Sequence, residues 1–147
     1  MRNYAPCHTM RAWYETGKKK QMRVTPLVFE RLVRETTGQV LASLPDDLRE
    51  KAALVTVIAA DRATRAQIDG AGGGGDDLLG LYEGVSLVDR RVGDSETVAD
   101  SITLYRIPLM ESCRTMEELR GEIRITLLHE LGHYFGFEEN ELEDRGL

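Results

Sequence analysis

Near the end of this 147-residue chain stands His129-Glu130-Leu131-Gly132-His133, an H-E-x-x-H run in a segment with helical periodicity. On an α-helix, residues four apart share a face about 5 to 6 Å from each other, so both imidazoles can reach one metal ion. Glu130 points to the side of that pair, where its carboxylate can take a proton from a water on the metal. Two metal ligands and a base then come from one rigid element.

The flanks support a helix. Thr115-Met116-Glu117-Glu118 fits a capping box, with Thr115 as N-cap and Glu118 three residues on. Met116, Leu119, Ile123, Leu127 and Leu131 give an apolar stripe, while Glu122, Thr126, His129 and His133 line a polar face. Gly136 can end the helix in a left-handed conformation and turn the chain back. A catalytic zinc site takes three protein ligands and keeps a further position open. The acidic tail offers Glu138, Glu139, Glu141, Glu143 and Asp144 as the third. Glu139 stands out, six residues past His133 and three past the turning glycine, in the pattern H-E-x-x-H-x-x-G-x-x-E.

Upstream the chain reads as helix, then strands. Thr25-Pro26 forms an N-cap followed by a proline at the first helical position, and Phe29, Val33, Val40, Leu41 and Leu44 give a stripe that ends before Pro45. After a polar Pro45-Asp46-Asp47 turn, residues 53–60 are apolar and β-branched, as in a buried strand. Gly70, Gly72 to Gly75 and Asp76-Asp77 make a flexible surface loop; no Lys-Ser/Thr follows, so it is not a phosphate loop. Residues 78–82 form a second strand, a charged stretch covers 89–100, and residues 101–107 form a third strand that Pro108 ends. Tyr82 and Tyr105 lie on strands with nothing in the sequence to aim their hydroxyls at the metal, and Tyr134 and Phe135 are packing residues.

Length predicts one domain with a modest core, for which 41% hydrophobic residues suffice. Residues 1–23 carry six Lys/Arg against one Glu, with Lys18-Lys19-Lys20 and no apolar period. They read as a disordered basic leader, or as an extension upstream of a start at Met22, before a domain spanning 24–147. The remainder holds thirteen basic and twenty-four acidic residues, which argues against nucleic-acid binding. No stretch matches a signal peptide or the roughly 20 apolar residues of a membrane span, so a cytoplasmic location is expected. Cys7 and Cys113 form no C-x-x-C pair and read as reduced thiols.

Leu78-Leu79-Gly80-Leu81-Tyr82-Glu83-Gly84, Ile102-Thr103-Leu104-Tyr105-Arg106 and residues 124–136 around the histidines together resemble the small bacterial zincin-like metallopeptidases, the mini-zincins. The likeness runs from about residue 26 to the end of the chain; the histidine motif is common to all zincins, and its combination with L-L-G-L-Y-E-G is the more specific part. It implies an α+β, minimal zincin-like fold. An N-terminal packing helix, a small mixed sheet and an active-site helix beneath it would hold one Zn²⁺ per chain on His129, His133 and an acid at Glu139. The pattern departs from its neighbours in three ways. No methionine follows His133 to form a Met-turn, Glu occupies a place where Asp is common, and the fourteen residues after His133 are too few for the second helix of gluzincins.

The activity implied is hydrolysis of peptide bonds in a peptide or protein substrate by metal-activated water, with Glu130 as general base. A substrate strand could add to an exposed sheet edge at residues 78–82. The competing expectation is a non-catalytic zincin-fold module that binds peptides or regulates, with a weak or degenerate metal site. An exposed sheet edge and apolar helix faces also leave a homodimer open.

Overall fold

Thr25 and Pro26 start the first helix as their chemistry requires: the Thr25 hydroxyl accepts from the Val28 N–H at 3.2 Å, and Pro26 occupies a position whose N–H would have no helical partner. This helix, α1, runs Pro26–Ser43 and buries Phe29, Leu32, Val33, Thr36 and Val40. The computed structural model describes residues 22–72, 77–91, 99–137 and 140–141. The basic leader predicted for residues 1–23 therefore lies outside the described residues apart from Met22 and Arg23.

Pro45-Asp46-Asp47, expected as a turn, instead opens a short helix, α2 (Asp46–Ala52), with both aspartates in its first turn, where the helix dipole favours them. Arg49 folds back and donates to the carbonyls of Leu41 (2.9 Å) and Leu44 (2.9 Å), so the second helix satisfies the acceptors left at the end of the first. Strand β1 then covers Thr56–Ala60, three residues shorter at its start than the apolar run suggests. A third helix, α3 (Arg65–Gly70), was not anticipated; Thr64 and Gln67 form its capping box, and Gly70 closes it instead of beginning a loop. Residues 73–76, the centre of the glycine-rich stretch, lie outside the described residues.

The sheet has the order β1-β3-β2, with β2 at Gly80–Glu83 and β3 at Ser101–Tyr105. β1 runs parallel to β3, with Thr56 opposite Ser101, and β2 runs antiparallel, with Tyr82 opposite Ile102, so the sheet is mixed. The third strand stops at Tyr105, not at Ile107. Residues Arg106–Glu111 form a helix, α4, whose first turn accepts Pro108 because the N–H a proline lacks is not needed there. The long helix α5 spans Met116–Phe135.

Period-two alternation along β3 separates two unequal cores. Ile102 and Leu104 are fully buried against α1 and α5, within the cluster that includes Phe29, Leu119, Ile123 and Leu127. Tyr105 faces the opposite way, into a small cluster with Ala71, Leu78 and Leu81 beside α3. Among the described residues no helix is long and apolar enough to cross a membrane. Cys113 is a buried free thiol whose pKa burial pushes up; Cys7 lies outside the described residues.

Candidate active site

The histidine helix is capped at both ends as its sequence predicts. At the start, the Thr115 hydroxyl accepts from the Glu118 N–H at 3.1 Å, while the Glu118 carboxylate accepts from the Arg114 N–H, one residue earlier than a strict capping box. At the other end Gly136 has φ +87°, and Phe137 N–H donates to the Gly132 carbonyl at 2.9 Å. Glycine suits this position, since a Cβ there would also stand 2.4 Å from a methyl of Val88. The apolar stripe holds for Leu119, Ile123, Leu127 and Leu131, whereas Met116 at its head is 40% exposed.

The rings of His129 and His133 lie edge to face with centroids 4.8 Å apart, on one side of the last turns of α5. Burial of His133, and then the proximity of His129, lower the His133 pKa to about 3, so its imidazole is neutral at physiological pH. A neutral imidazole is the form that binds metal. Its Nε2 is sealed from solvent, so the nitrogen sits in a desolvated setting where a metal replaces no hydration of the ring. Between the histidines Glu130 is only 4% exposed, and its Oε2 accepts from the main-chain N–H of Tyr82 at 2.9 Å. The donor types and their placement on one helix face fit Zn²⁺. Among the described residues no group of three His, Cys, Asp or Glu side chains is placed to hold a metal ion. Glu139, the expected third ligand, lies outside the described residues with Glu138, Glu143 and Asp144; Glu141 is described and exposed.

Helix α5 can approach the sheet this closely because residue 80 has no side chain. A Cβ on Gly80 would stand 2.7 Å from Thr126 Cγ2 and 3.4 Å from Glu130 Cγ. A glycine inside a strand signals such an approach, and it was visible in L-L-G-L-Y-E-G. The expected open edge at residues 78–82 is narrower than the sequence suggests: Leu78, Leu79 and Leu81 are buried, and the Tyr82 N–H is engaged by Glu130.

Beside His133 a cavity of about 260 Å³ opens between Leu81, Tyr82, Val85, Ser86 and Gly136. Its outer wall is tied to the helix end by the Leu87 N–H, which donates to the Tyr134 carbonyl at 2.9 Å. Neither strand tyrosine offers its hydroxyl to the histidines. Tyr105 donates to Gln67 at 3.0 Å and Tyr82 to Asp100 at 2.6 Å. Burial raises both phenols, Tyr105 up to about 12, with the nearby Glu83 and Glu130 charges adding to it; for Tyr82 the hydrogen bond to Asp100 adds to the burial. Asp100 and Arg90, read from the sequence only as part of a charged stretch, form an ion pair at this point with the carboxylate buried and the guanidinium half-buried.

A mixed three-stranded sheet with its carboxylate- and imidazole-bearing helix beneath is a minimal zincin-like fold. The family model described as zincin-like metallopeptidase matches residues 52–147, and the chain belongs to that family. No curated protein matches the chain.

Proposed function

We propose that this protein is a zinc-dependent peptidase in which His129, His133 and Glu139 hold one Zn²⁺ per chain and Glu130 is the general base. The observation that carries this reading is the burial of the Glu130 carboxylate, on the helix turn that carries the two histidines, with one oxygen tied to the strand that borders the cleft. A carboxylate is seldom buried without a task or a partner, and this one has a partner that also orients it. Zinc, when bound, supplies a Lewis acid that makes water acidic near neutral pH and polarises the peptide carbonyl.

The chain's own groups do the rest. Glu130 takes a proton from the attacking water and passes it to the leaving amine, which keeps the proton count balanced across the cleavage. Tyr105 N–H donates to Leu79 O, so strand alternation turns the main-chain groups of Gly80 and Tyr82 outward. With the Tyr82 N–H taken by Glu130, the Gly80 N–H and the two outward carbonyls are the groups that face an extended peptide. The cavity beside His133 then receives a substrate side chain.

The test is zinc content and peptide cleavage measured on the same preparations. Wild type should hold about one zinc per chain, Glu139→Ala should lose most of it, and Glu130→Gln should keep it while cleavage falls by about 10²- to 10⁴-fold. A wild-type protein that holds zinc, binds peptides and cleaves none would instead be a zincin-fold binding module.

A further inference from the structure

Strand β2 forms a rim of the sheet, and an outward N–H on such a rim ordinarily meets water or another chain. That of Tyr82 meets Glu130. The side chain of the same residue is anchored in the other direction: its hydroxyl donates to Asp100 Oδ1 at 2.6 Å, and Asp100 receives Arg90 on its second oxygen. Arg90 is itself fixed, with Nε donating to the Val85 carbonyl at 3.0 Å and its guanidinium 5.7 Å from the centre of the Tyr134 ring. The Asp100 side chain is 7% exposed and that of Arg90 22%, so the carboxylate is withdrawn from water and depends on its partners to keep its place.

Peptide hydrolysis as derived above has no step for Asp100 or Arg90, yet their chain of contacts ends on the residue that grips the base. We propose that Arg90, Asp100 and the Tyr82 hydroxyl form a brace that holds the Tyr82 amide against Glu130, which makes Tyr82 and Asp100 positioning residues for the base. The catalytic half of this inference rests on Glu130 having that role. A glutamate side chain turns about three bonds, and one hydrogen bond from a fixed amide restricts the plane of its carboxylate. Misplacement of a reacting group by about 1 Å can cost on the order of 10²-fold in rate, so a brace with small structural effect can have a large kinetic one.

Hydrogen exchange at the amide of residue 82, resolved by NMR, separates the brace from an ordinary stabilising ion pair. In wild type that amide should be protected despite its place on the rim, and Glu130→Ala should speed its exchange about tenfold or more while amides of β3 stay unchanged. Tyr82→Phe, which leaves Asp100 paired with Arg90, and Asp100→Asn should each speed exchange at residue 82 about tenfold. Each should also lower kcat about tenfold, with KM and zinc content within about twofold of wild type. Wild-type exchange at residue 82 in both variants, with only the unfolding midpoint lowered, would overturn the brace. Absence of peptide cleavage by wild type would remove the proposed function instead, and the exchange data would still decide whether the brace holds the amide.

Discussion

In the first half of α5 the buried residues are apolar: Leu119 and Ile123 are entirely enclosed. In the second half the enclosed set takes in Thr126, Glu130 and His133 beside Leu127, Leu131 and Tyr134. The first half gains from each leucine or isoleucine roughly 1.5–3 kcal/mol of burial and needs no particular partner for it. The second half withdraws a carboxylate and an imidazole from water, a change that is tolerable only where hydrogen bonds or neutralisation offset it. The Tyr82 amide meets Glu130, and His133 gives up its charge. One helix therefore anchors the fold at one end and holds a desolvated polar site at the other.

The comparison can be broken first in the apolar half. Ile123→Ala should lower the unfolding free energy by about 2–5 kcal/mol in a urea titration, with zinc per folded molecule unchanged. A cost below about 1 kcal/mol would mean that the anchor lies elsewhere. The polar half should show a pH signature opposite in sign to that of the first half, where burial and then the Glu118 charge raise the Glu122 carboxyl. His133 is lowered from 6.5 to about 3, so between those values the unfolded chain binds a proton that the folded chain refuses. Stability of the metal-free protein should therefore rise with pH through that window and be lost as pH falls toward the lower value, by on the order of 1–3 kcal/mol. Urea midpoints of wild type and His133→Gln across this range provide the check, and parallel curves would count against a desolvated imidazole. The smallest effect belongs to the helix start, where Thr115→Ala should cost about 1 kcal/mol and leave zinc content and cleavage alone.

Legibility followed the same division. Elements governed by local chemistry were visible: Thr25 with Pro26, Thr115 with Glu118, and Gly136 mark the ends of α1 and α5 where the structure has them. Glycine in L-L-G-L-Y-E-G carried a further signal, a close approach, although not the identity of what approaches. Three short helices escaped. α2 begins with residues that also make turns, and Pro108 marks the end of a strand whether a loop or a helix follows. α3 was announced by Thr64 and Gln67, a capping box without the long apolar stripe that gave α5 its weight. Met116 satisfies the period of the α5 stripe yet is exposed, while Leu119 in the same turn is fully buried. The Tyr82–Asp100–Arg90 contacts join residues up to eighteen positions apart through folding of the chain, and no local pattern encodes them. Glu139, the expected third ligand, falls beyond the described residues and stays an expectation of the motif.

The order of the strands has a bearing on how the molecule comes into being. The middle strand of the sheet, β3, is the last of the three to be synthesised, and β1 and β2 have no pairing with each other. A nascent chain that stops short of Ser101 carries two strands with no shared partner, one of which must wait some forty-five residues for its parallel mate. Closing that loop is entropically opposed, and the helix that bears the histidines is made only afterwards. Birth of the site thus follows that of the sheet: the histidine helix emerges onto a platform that its middle strand has just made possible.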